Sequence, residues 1–242
     1  MITELRTGQS IPCIVSQKTI QKDCKLALKQ LVDEIKKRYG KKINSIYLYG
    51  SFSEGRGTIG SSDLDLAIIT NEKIDLHSLK DELSKKYGDS FVDIGIESQT
   101  KSYALEDKYG WSAFLKLFCV CVYGKDISQS LPEYYVTKEL VAGFIEDTEK
   151  LVKDILKYDN SINKKRIAKL IIRRTYYAEL ENHLKWTTIL EEQLKIIQTL
   201  FPDHKENFIQ VYEQTKGQGS LEEKELKRLI AFTLNLVNKH AH

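Results

Sequence analysis

Two aspartates separated by one residue, Asp63 and Asp65, are the first sign of chemistry in this 242-residue sequence. They stand at the start of an apolar run, residues 64–69, which has the composition of a buried strand. Because side chains alternate along a strand, both carboxylates should lie on one face, while Leu64 and Leu66 face a core. Two negative charges this close repel each other unless a cation lies between them. A hard divalent cation with oxygen ligands meets that need, so the pair predicts a metal site.

A loop rich in glycine and serine, residues 50–62, separates these aspartates from an earlier predicted strand at residues 46–49. Gly50 allows the chain to turn sharply where that strand ends. Gly50 and Ser51 can then offer backbone N–H groups and a hydroxyl to a phosphate. The loop is therefore predicted to bind the phosphates of a nucleotide.

Two further side chains of the loop, Arg56 and Ser62, are candidate nucleotide contacts. Arg56 either reaches a phosphate or is solvated, and the sequence leaves both alternatives open. The hydroxyl of Ser62 also suits hydrogen bonds to backbone groups, which would fix the loop rather than contact the nucleotide.

A third carboxylate, Asp93, interrupts the apolar residues 91–96, which predict another strand with Asp93 in its middle. A charged side chain there is costly to bury unpaired. If this strand neighbours the one that begins at Asp63, the three carboxylates converge, and two ions roughly 3.5–4 Å apart can be held. Asp93 can then act as general base for an acceptor hydroxyl. Asp63, Asp65 and Asp93 are thus the candidate catalytic and metal-binding residues.

The order of these features resembles the nucleotidyltransferase superfamily of DNA polymerase beta: a strand, Gly50-Ser51, a loop, Asp63 and Asp65 in a second strand, and Asp93 in a later one. The resemblance covers residues 46–94. It implies that Asp63 and Asp65 bind magnesium, that Asp93 assists the acceptor, and that ATP is the favoured donor. Two Mg²⁺ ions are expected, and Mn²⁺ suits the same oxygen ligands.

The elements that must position these residues change character near Pro132. Strand-like and helix-like stretches alternate before it, and helical patterns with short connections follow it, including predicted helices at residues 163–186 and 221–237. The predicted fold class is α+β. A small mixed β-sheet nucleotidyltransferase domain with flanking helices, residues 1–132, is followed by an all-α helical bundle domain, residues 133–242. This layout resembles bacterial stand-alone enzymes such as aminoglycoside adenylyltransferases, by analogy of fold.

One arginine of the second part, Arg174, lies on the apolar stripe of its predicted helix, after Ile167, Leu170 and Ile171. A guanidinium in that position needs an anion. A triphosphate in a cleft between the two domains would serve, and so would a structural carboxylate. Arg174 is therefore a candidate nucleotide ligand whose alternative role is structural.

The net charge of +3 gives little support to nucleic-acid binding, and no apolar run is long enough to span a membrane. The four cysteines lack zinc-ligand spacing, and no signal peptide opens the chain, so a cytoplasmic protein without membrane association is expected.

The predicted function is metal-dependent transfer of a nucleoside monophosphate, AMP from ATP, to a hydroxyl group with release of pyrophosphate. A small hydroxylated acceptor such as an aminoglycoside is favoured. A protein side chain and an RNA end remain alternative acceptors, and a non-catalytic nucleotide-binding module is the alternative outside this enzyme class.

Overall fold

The computed structural model describes residues 2–157, 161–219 and 222–239. The elements of the first part alternate between strands and helices, with a π-helical turn at Lys108–Ser112 before the last helix. They are β1 (Thr3–Glu4), α1 (Lys25–Tyr39), β2 (Ile43–Tyr49), α2 (Gly50–Ser53), β3 (Leu64–Thr70), α3 (His77–Lys86), β4 (Ile94–Thr100), α4 (Lys101–Glu106), α5 (Ala113–Phe118) and β5 (Val120–Gly124).

Four of these strands form a mixed sheet in the order β4-β3-β2-β5. β2 pairs antiparallel with both β3 and β5, whereas β3 pairs parallel with β4. β2 and β3 lie in the middle and are rich in β-branched and large apolar residues, which suits strands that are buried on both faces.

Each face of the sheet is covered by helices. On one face, α1 and α3 pack through buried leucines and isoleucines against Ile46, Leu48, Leu64, Leu66, Ile68 and Ile94. On the other face, α4 and α5 cover Tyr47, Ala67 and Ile69. Because side chains alternate along β3, Leu64 and Leu66 lie on the first face, and Asp65 lies on the second face with Ala67.

The second part is almost wholly helical, as its sequence pattern predicts. Its elements are α6 (Lys138–Ile145), α7 (Thr148–Leu156), α8 (Ser161–Ala178), α9 (Leu180–His183), β6 (Lys185–Trp186), α10 (Leu190–Leu200), α11 (Lys205–Lys216) and α12 (Glu223–Asn238). α8 packs against α6, α7, α10, α11 and α12 and is the central helix of this part.

The described chain divides into two compact units. One runs from Pro12 to Glu133, and the other joins the segment up to Ile11 with the chain from Tyr134 onward. This first segment falls within the predicted N-terminal domain, residues 1–132. It belongs to the helical unit because β1 pairs antiparallel with β6, and because the Ile11 N–H donates to the Tyr134 carbonyl at 2.7 Å.

Several predicted boundaries change in the structure. The third strand begins at Ile94 rather than at residue 91, so Asp93 precedes the strand instead of lying in its middle. The loop after β2 begins with a short helix, α2. The helix predicted over residues 163–186 ends at Ala178, and α9 and β6 follow it. The helix predicted over 221–237 is α12, and residue 221 lies outside the described residues.

Among the described residues, no helix combines the length and the apolar character that crossing a membrane requires.

Candidate active site

The turn after β2 brings a glycine against an aspartate of the next strand. Gly50 has a φ of +74°, in the left-handed region that favours glycine. A Cβ atom at this position would lie 2.5 Å from Oδ2 of Asp65. The turn therefore needs glycine for two reasons, its backbone conformation and the close approach of the Asp65 carboxylate.

A second glycine confines the same carboxylate from the neighbouring strand. Asp65 pairs with Gly95 in the parallel register of β3 and β4, and a Cβ atom on Gly95 would lie 2.5 Å from Oδ1 of Asp65. The backbone of Gly95 is not in the left-handed region, so its conformation does not require glycine. Glycine is needed here because the Asp65 carboxylate lies so close. The carboxylate of Asp65 is thus set in a narrow space between Gly50 and Gly95.

Asp63 is exposed and immediately precedes β3. The parallel pairing continues on both sides of it, because the Leu64 N–H donates to the Asp93 carbonyl at 2.9 Å and the Val92 N–H donates to the Ser62 carbonyl at 3.2 Å. If the alternation that buries Leu64 on one face extends to the preceding residue, Asp63 lies on the opposite side, with Asp65. Asp63 and Asp65 stay the predicted pair of metal ligands.

The loop between β2 and β3 is anchored by a buried aromatic ring. Phe52 is fully buried and contacts Phe91 edge-on, with ring centroids 5.3 Å apart. Its carbonyl accepts the Gln21 N–H at 3.1 Å, and Gly57 packs directly on its ring. Burial of such a ring contributes on the order of 2–3 kcal/mol, which holds the turn at Ser51 in place.

The two other predicted loop residues make contacts within the loop. Ser62 Oγ accepts the Thr58 N–H at 3.0 Å, and the Ser62 N–H donates to the Thr58 carbonyl at 2.9 Å. Ser62 therefore has the loop-fixing role that the sequence left open. Arg56 is exposed and pairs with Glu54, with Nε 2.9 Å from Glu54 Oε2.

The third predicted carboxylate, Asp93, contacts helix α3. Ser84 Oγ donates to Asp93 Oδ1 at 2.7 Å, and the Ile94 N–H donates to the same oxygen at 2.9 Å. Lys80 Nζ lies 3.5 Å from Asp93 Oδ2, and about half of the Asp93 side chain is exposed. The backbone of Asp93 adjoins the start of β3, but its carboxylate is directed to α3, which covers the face opposite Asp65.

The predicted convergence of Asp63, Asp65 and Asp93 on a metal site is therefore not formed by the side chains as they stand. Within the described residues, no group of three or more His, Cys, Asp or Glu side chains is arranged to hold a metal ion. Asp63 and Asp65 fit a hard divalent cation better, since strand alternation would put both carboxylates on one side of the sheet. The missing Cβ atoms of Gly50 and Gly95 leave the room that the two Asp65 oxygens occupy beside the turn.

The remaining candidate, Arg174, belongs to the helical unit. Burial lowers the pKa of its guanidinium, while Tyr177 and Asp147 act in the opposite direction. Among the described residues, none supplies it with a hydrogen bond or an ion pair. The side chains that the structure describes therefore do not form the structural salt bridge with Arg174 that the sequence left open. The neighbouring Arg173 is exposed.

Three residues of the site were missed by the sequence analysis: Gly95, Ser84 and Lys80. An isolated glycine within an apolar strand often marks the close approach of another group, so the sequence pattern could have indicated Gly95. Ser84 and Lys80 had none, because their proximity to Asp93 depends on how α3 packs.

The turn and the three carboxylates lie within a segment that matches a known protein family. Residues 29–106, which include the turn and all three carboxylates, match the family described as polymerase beta, nucleotidyltransferase. No curated protein matches the chain in sequence.

The fold is also similar to that of a solved structure, spectinomycin adenyltransferase AAD(9) from Enterococcus faecialis with ATP and spectinomycin. The TM-score is 0.57 and the identity 15%, over 88% of this chain and 99% of that chain, so this likeness is one of fold. The predicted fold class and resemblance are confirmed, and the family match identifies the enzyme class as nucleotidyltransferase.

Proposed function

We propose that this protein transfers AMP from ATP to a hydroxyl group of a small molecule and releases pyrophosphate. The observation that carries the proposal is the setting of Asp65, whose carboxylate lies between two glycines beside the turn at Gly50 and Ser51. A family match to nucleotidyltransferases over the same residues supports the reaction class. ATP as donor and a small acceptor are supported by the solved adenyltransferase with ATP and spectinomycin.

Asp63 and Asp65 would hold divalent cations, Mg²⁺ being favoured because it prefers carboxylate and phosphate oxygens. Two ions, with Asp93 as a further ligand, remain the prediction. When bound, such ions neutralise the triphosphate and increase the acidity of the acceptor hydroxyl. Manganese would suit the same ligands.

The other residues of the turn would bind the nucleotide. Gly50 and Ser51 begin a helix whose first N–H groups have no acceptor within it, which suits them to phosphate oxygens. Arg56 would reach a phosphate by exchanging its contact with Glu54, and Ser62 would act chiefly by holding the loop. Arg174 is proposed as a ligand of the β- or γ-phosphate, since its partly buried guanidinium lacks an acceptor among the described residues.

In the chemical step, the acceptor oxygen attacks the α-phosphorus, and the bond between that phosphorus and the bridging oxygen of the β-phosphate breaks. Asp93 takes the proton of the acceptor hydroxyl, and pyrophosphate leaves with the electron pair of the broken bond. A location in the cytoplasm belongs to the same proposal.

The test is release of pyrophosphate from ATP with Mg²⁺ and a panel of aminoglycosides and other hydroxylated compounds, a protein mixture and RNA. Asp63→Ala and Asp65→Ala should each abolish release and weaken Mg²⁺-dependent ATP binding in titration calorimetry. Asp33→Ala is the matched control, because Asp33 is an exposed acid on α1 whose ion pair, among the described residues, is with Lys36. Retained turnover and metal-independent binding in both site variants would contradict the assignment.

The same experiment separates the alternatives. Release with RNA or protein alone would replace the small acceptor. Mg²⁺-dependent ATP binding without release under any condition would favour a nucleotide-binding module, since the phosphate site would then be intact while transfer is absent.

A further inference from the structure

The carboxylate of Asp65 fills the space beside two residues that have no side chain. A Cβ atom on Gly50 would lie 2.5 Å from Oδ2 of Asp65, and a Cβ atom on Gly95 would lie 2.5 Å from Oδ1. The residue that pairs with Asp65 in β2 is Tyr49. Asp65 therefore has a large ring as its neighbour in β2 and a glycine as its neighbour in β4.

The side chain of Tyr49 lies on the same face of the sheet as Asp65. It packs against the buried cluster that contains Tyr47 and Ala67, which belongs to the face that also carries Asp65. In a directly opposite antiparallel pair, the two Cβ atoms are about 4.5–5.5 Å apart. The side chain of Tyr49, which is partly buried, therefore borders that of Asp65 on the β2 side.

Aromatic contacts from helix α5 and the turn before it support the Tyr49 ring. Phe114 contacts it edge-on, with ring centroids 5.0 Å apart and an interplanar angle of 77°, which is an arrangement that aromatic pairs favour. Trp111 contacts the same Phe114 ring, with centroids 5.8 Å apart. Leu115, the residue after Phe114, is fully buried and anchors α5 on the sheet. This packing restricts the orientations that are available to the Tyr49 ring.

We propose that Tyr49 is a positioning residue, whose ring closes the β2 side of Asp65 and confines the carboxylate to the space beside Gly50 and Gly95. The inference rests on the proposed function, in which Asp65 binds a divalent cation. Groups that orient a metal ligand increase the affinity for the metal, because the ligand oxygens are already ordered when the metal binds. The ring should therefore increase metal affinity through Asp65, without contacting the metal itself.

The experiment measures Mn²⁺ binding by electron paramagnetic resonance, in the presence of ATP and without an acceptor, so that no transfer takes place. Tyr49→Ala should weaken Mn²⁺ binding about 10–100-fold, the scale seen when a group that orients a metal ligand is removed. Tyr49→Phe keeps the ring, so its loss should be less than about threefold, well below that scale. Tyr103→Ala is the matched control and should bind Mn²⁺ as the wild type does, because Tyr103 is an exposed tyrosine of α4.

A double variant separates positioning from an independent role. Gly95→Ala displaces the Asp65 carboxylate, since the added methyl group would overlap Oδ1. If Tyr49 acts through the same carboxylate, adding Tyr49→Ala to Gly95→Ala should weaken Mn²⁺ binding by less than about threefold further. Tyr49→Leu serves in the same comparisons if the alanine variant does not fold, because leucine retains apolar contact with Phe114 but lacks the planar ring.

Wild-type Mn²⁺ affinity in Tyr49→Ala, with Mn²⁺ binding lost in Asp65→Ala, would overturn the inference and leave the proposed function intact. Equal losses in Tyr49→Phe and Tyr49→Ala would also overturn it, because the hydroxyl and not the ring would then be responsible. Losses that multiply in the double variant would overturn it as well, since Tyr49 would then act independently of Asp65. If Asp65→Ala itself binds Mn²⁺ as the wild type does, the proposed metal site fails together with this inference.

Discussion

Gly95→Ala is the most direct test of the space that surrounds Asp65. Gly95 is the only residue of β4 that pairs with Asp65, and its backbone is not left-handed, so alanine meets no backbone strain there. The added methyl group would lie 2.5 Å from Oδ1 of Asp65. The substitution therefore changes one thing, the room available to this carboxylate.

The size of the effect follows from that distance. Ordinary van der Waals contact begins at 3.4 Å, so the carboxylate must move by about 0.9 Å. Displacement of a functional group by ~1 Å costs roughly 10²-fold in rate, which corresponds to about 2.7 kcal/mol of transition-state stabilisation. The free energy of unfolding should change little. Alanine lowers the conformational entropy of the unfolded chain, which stabilises the fold by about 0.4–1 kcal/mol and offsets the cost of the steric overlap.

The assay measures kcat/KM for pyrophosphate release, Mg²⁺-dependent ATP binding by calorimetry, and the midpoint of urea denaturation. We expect a loss of about 10²-fold in kcat/KM and weaker binding with an unchanged denaturation midpoint. Ser98→Ala is the control, since Ser98 is an exposed residue of the same strand.

Gly95→Ala with wild-type kcat/KM and wild-type binding would refute the reasoning, because the position of the Asp65 carboxylate would then be irrelevant to the reaction. A large fall in the denaturation midpoint would refute it in another way, since the cause of lost activity would be the fold and not the site.

Three further predictions concern other parts of the chain. Arg174→Ala should weaken ATP binding by about 1.5–3 kcal/mol in calorimetry, with Arg174→Lys recovering only part; a lower melting temperature with unchanged affinity would instead indicate a structural role. Phe52→Ala should destabilise the fold by about 3–5 kcal/mol in urea denaturation, because the ring is fully buried; a cost below about 1 kcal/mol would contradict its anchoring role. Burial lowers the pKa of His183 from 6.5, so the stability that its neutral ring provides is present above that pH and is lost as the pH falls below it. The unfolding free energy of the wild type should thus decrease more from about pH 8 to about pH 5 than that of His183→Asn, and equal decreases would contradict this.

The segment from Gly50 to Asp65 was the most predictable part of the chain, because its pattern depends on residues that are close in sequence. The turn at Gly50 and the alternation of Asp63 and Asp65 with Leu64 and Leu66 depend on residue type and strand period alone. These features gave the reaction class, which the family match over residues 29–106 supports. The mixed sheet followed by helices was also predictable, since periodicity changes near Pro132.

In the helical part, the local sequence pattern was not sufficient to predict which segments pair. The segment up to Ile11 joins the helical unit through the pairing of β1 with β6, about 180 residues apart in sequence. A strand of two residues carries no periodic signal, so a pairing at this separation could not be read from composition.

By itself, the sequence determined the glycine turn at Gly50 and predicted that Asp63 and Asp65 lie on the same side of the next strand, because glycine conformation and alternation are properties of neighbouring residues. Only the tertiary structure decided how closely Gly95 confines Asp65, and that the carboxylate of Asp93 contacts Ser84 of α3. Both depend on the register between β3 and β4 and on the packing of a helix against the sheet. Side-chain direction at a strand end is not fixed by the strand period, so the neighbour that offers the shortest hydrogen bond sets it.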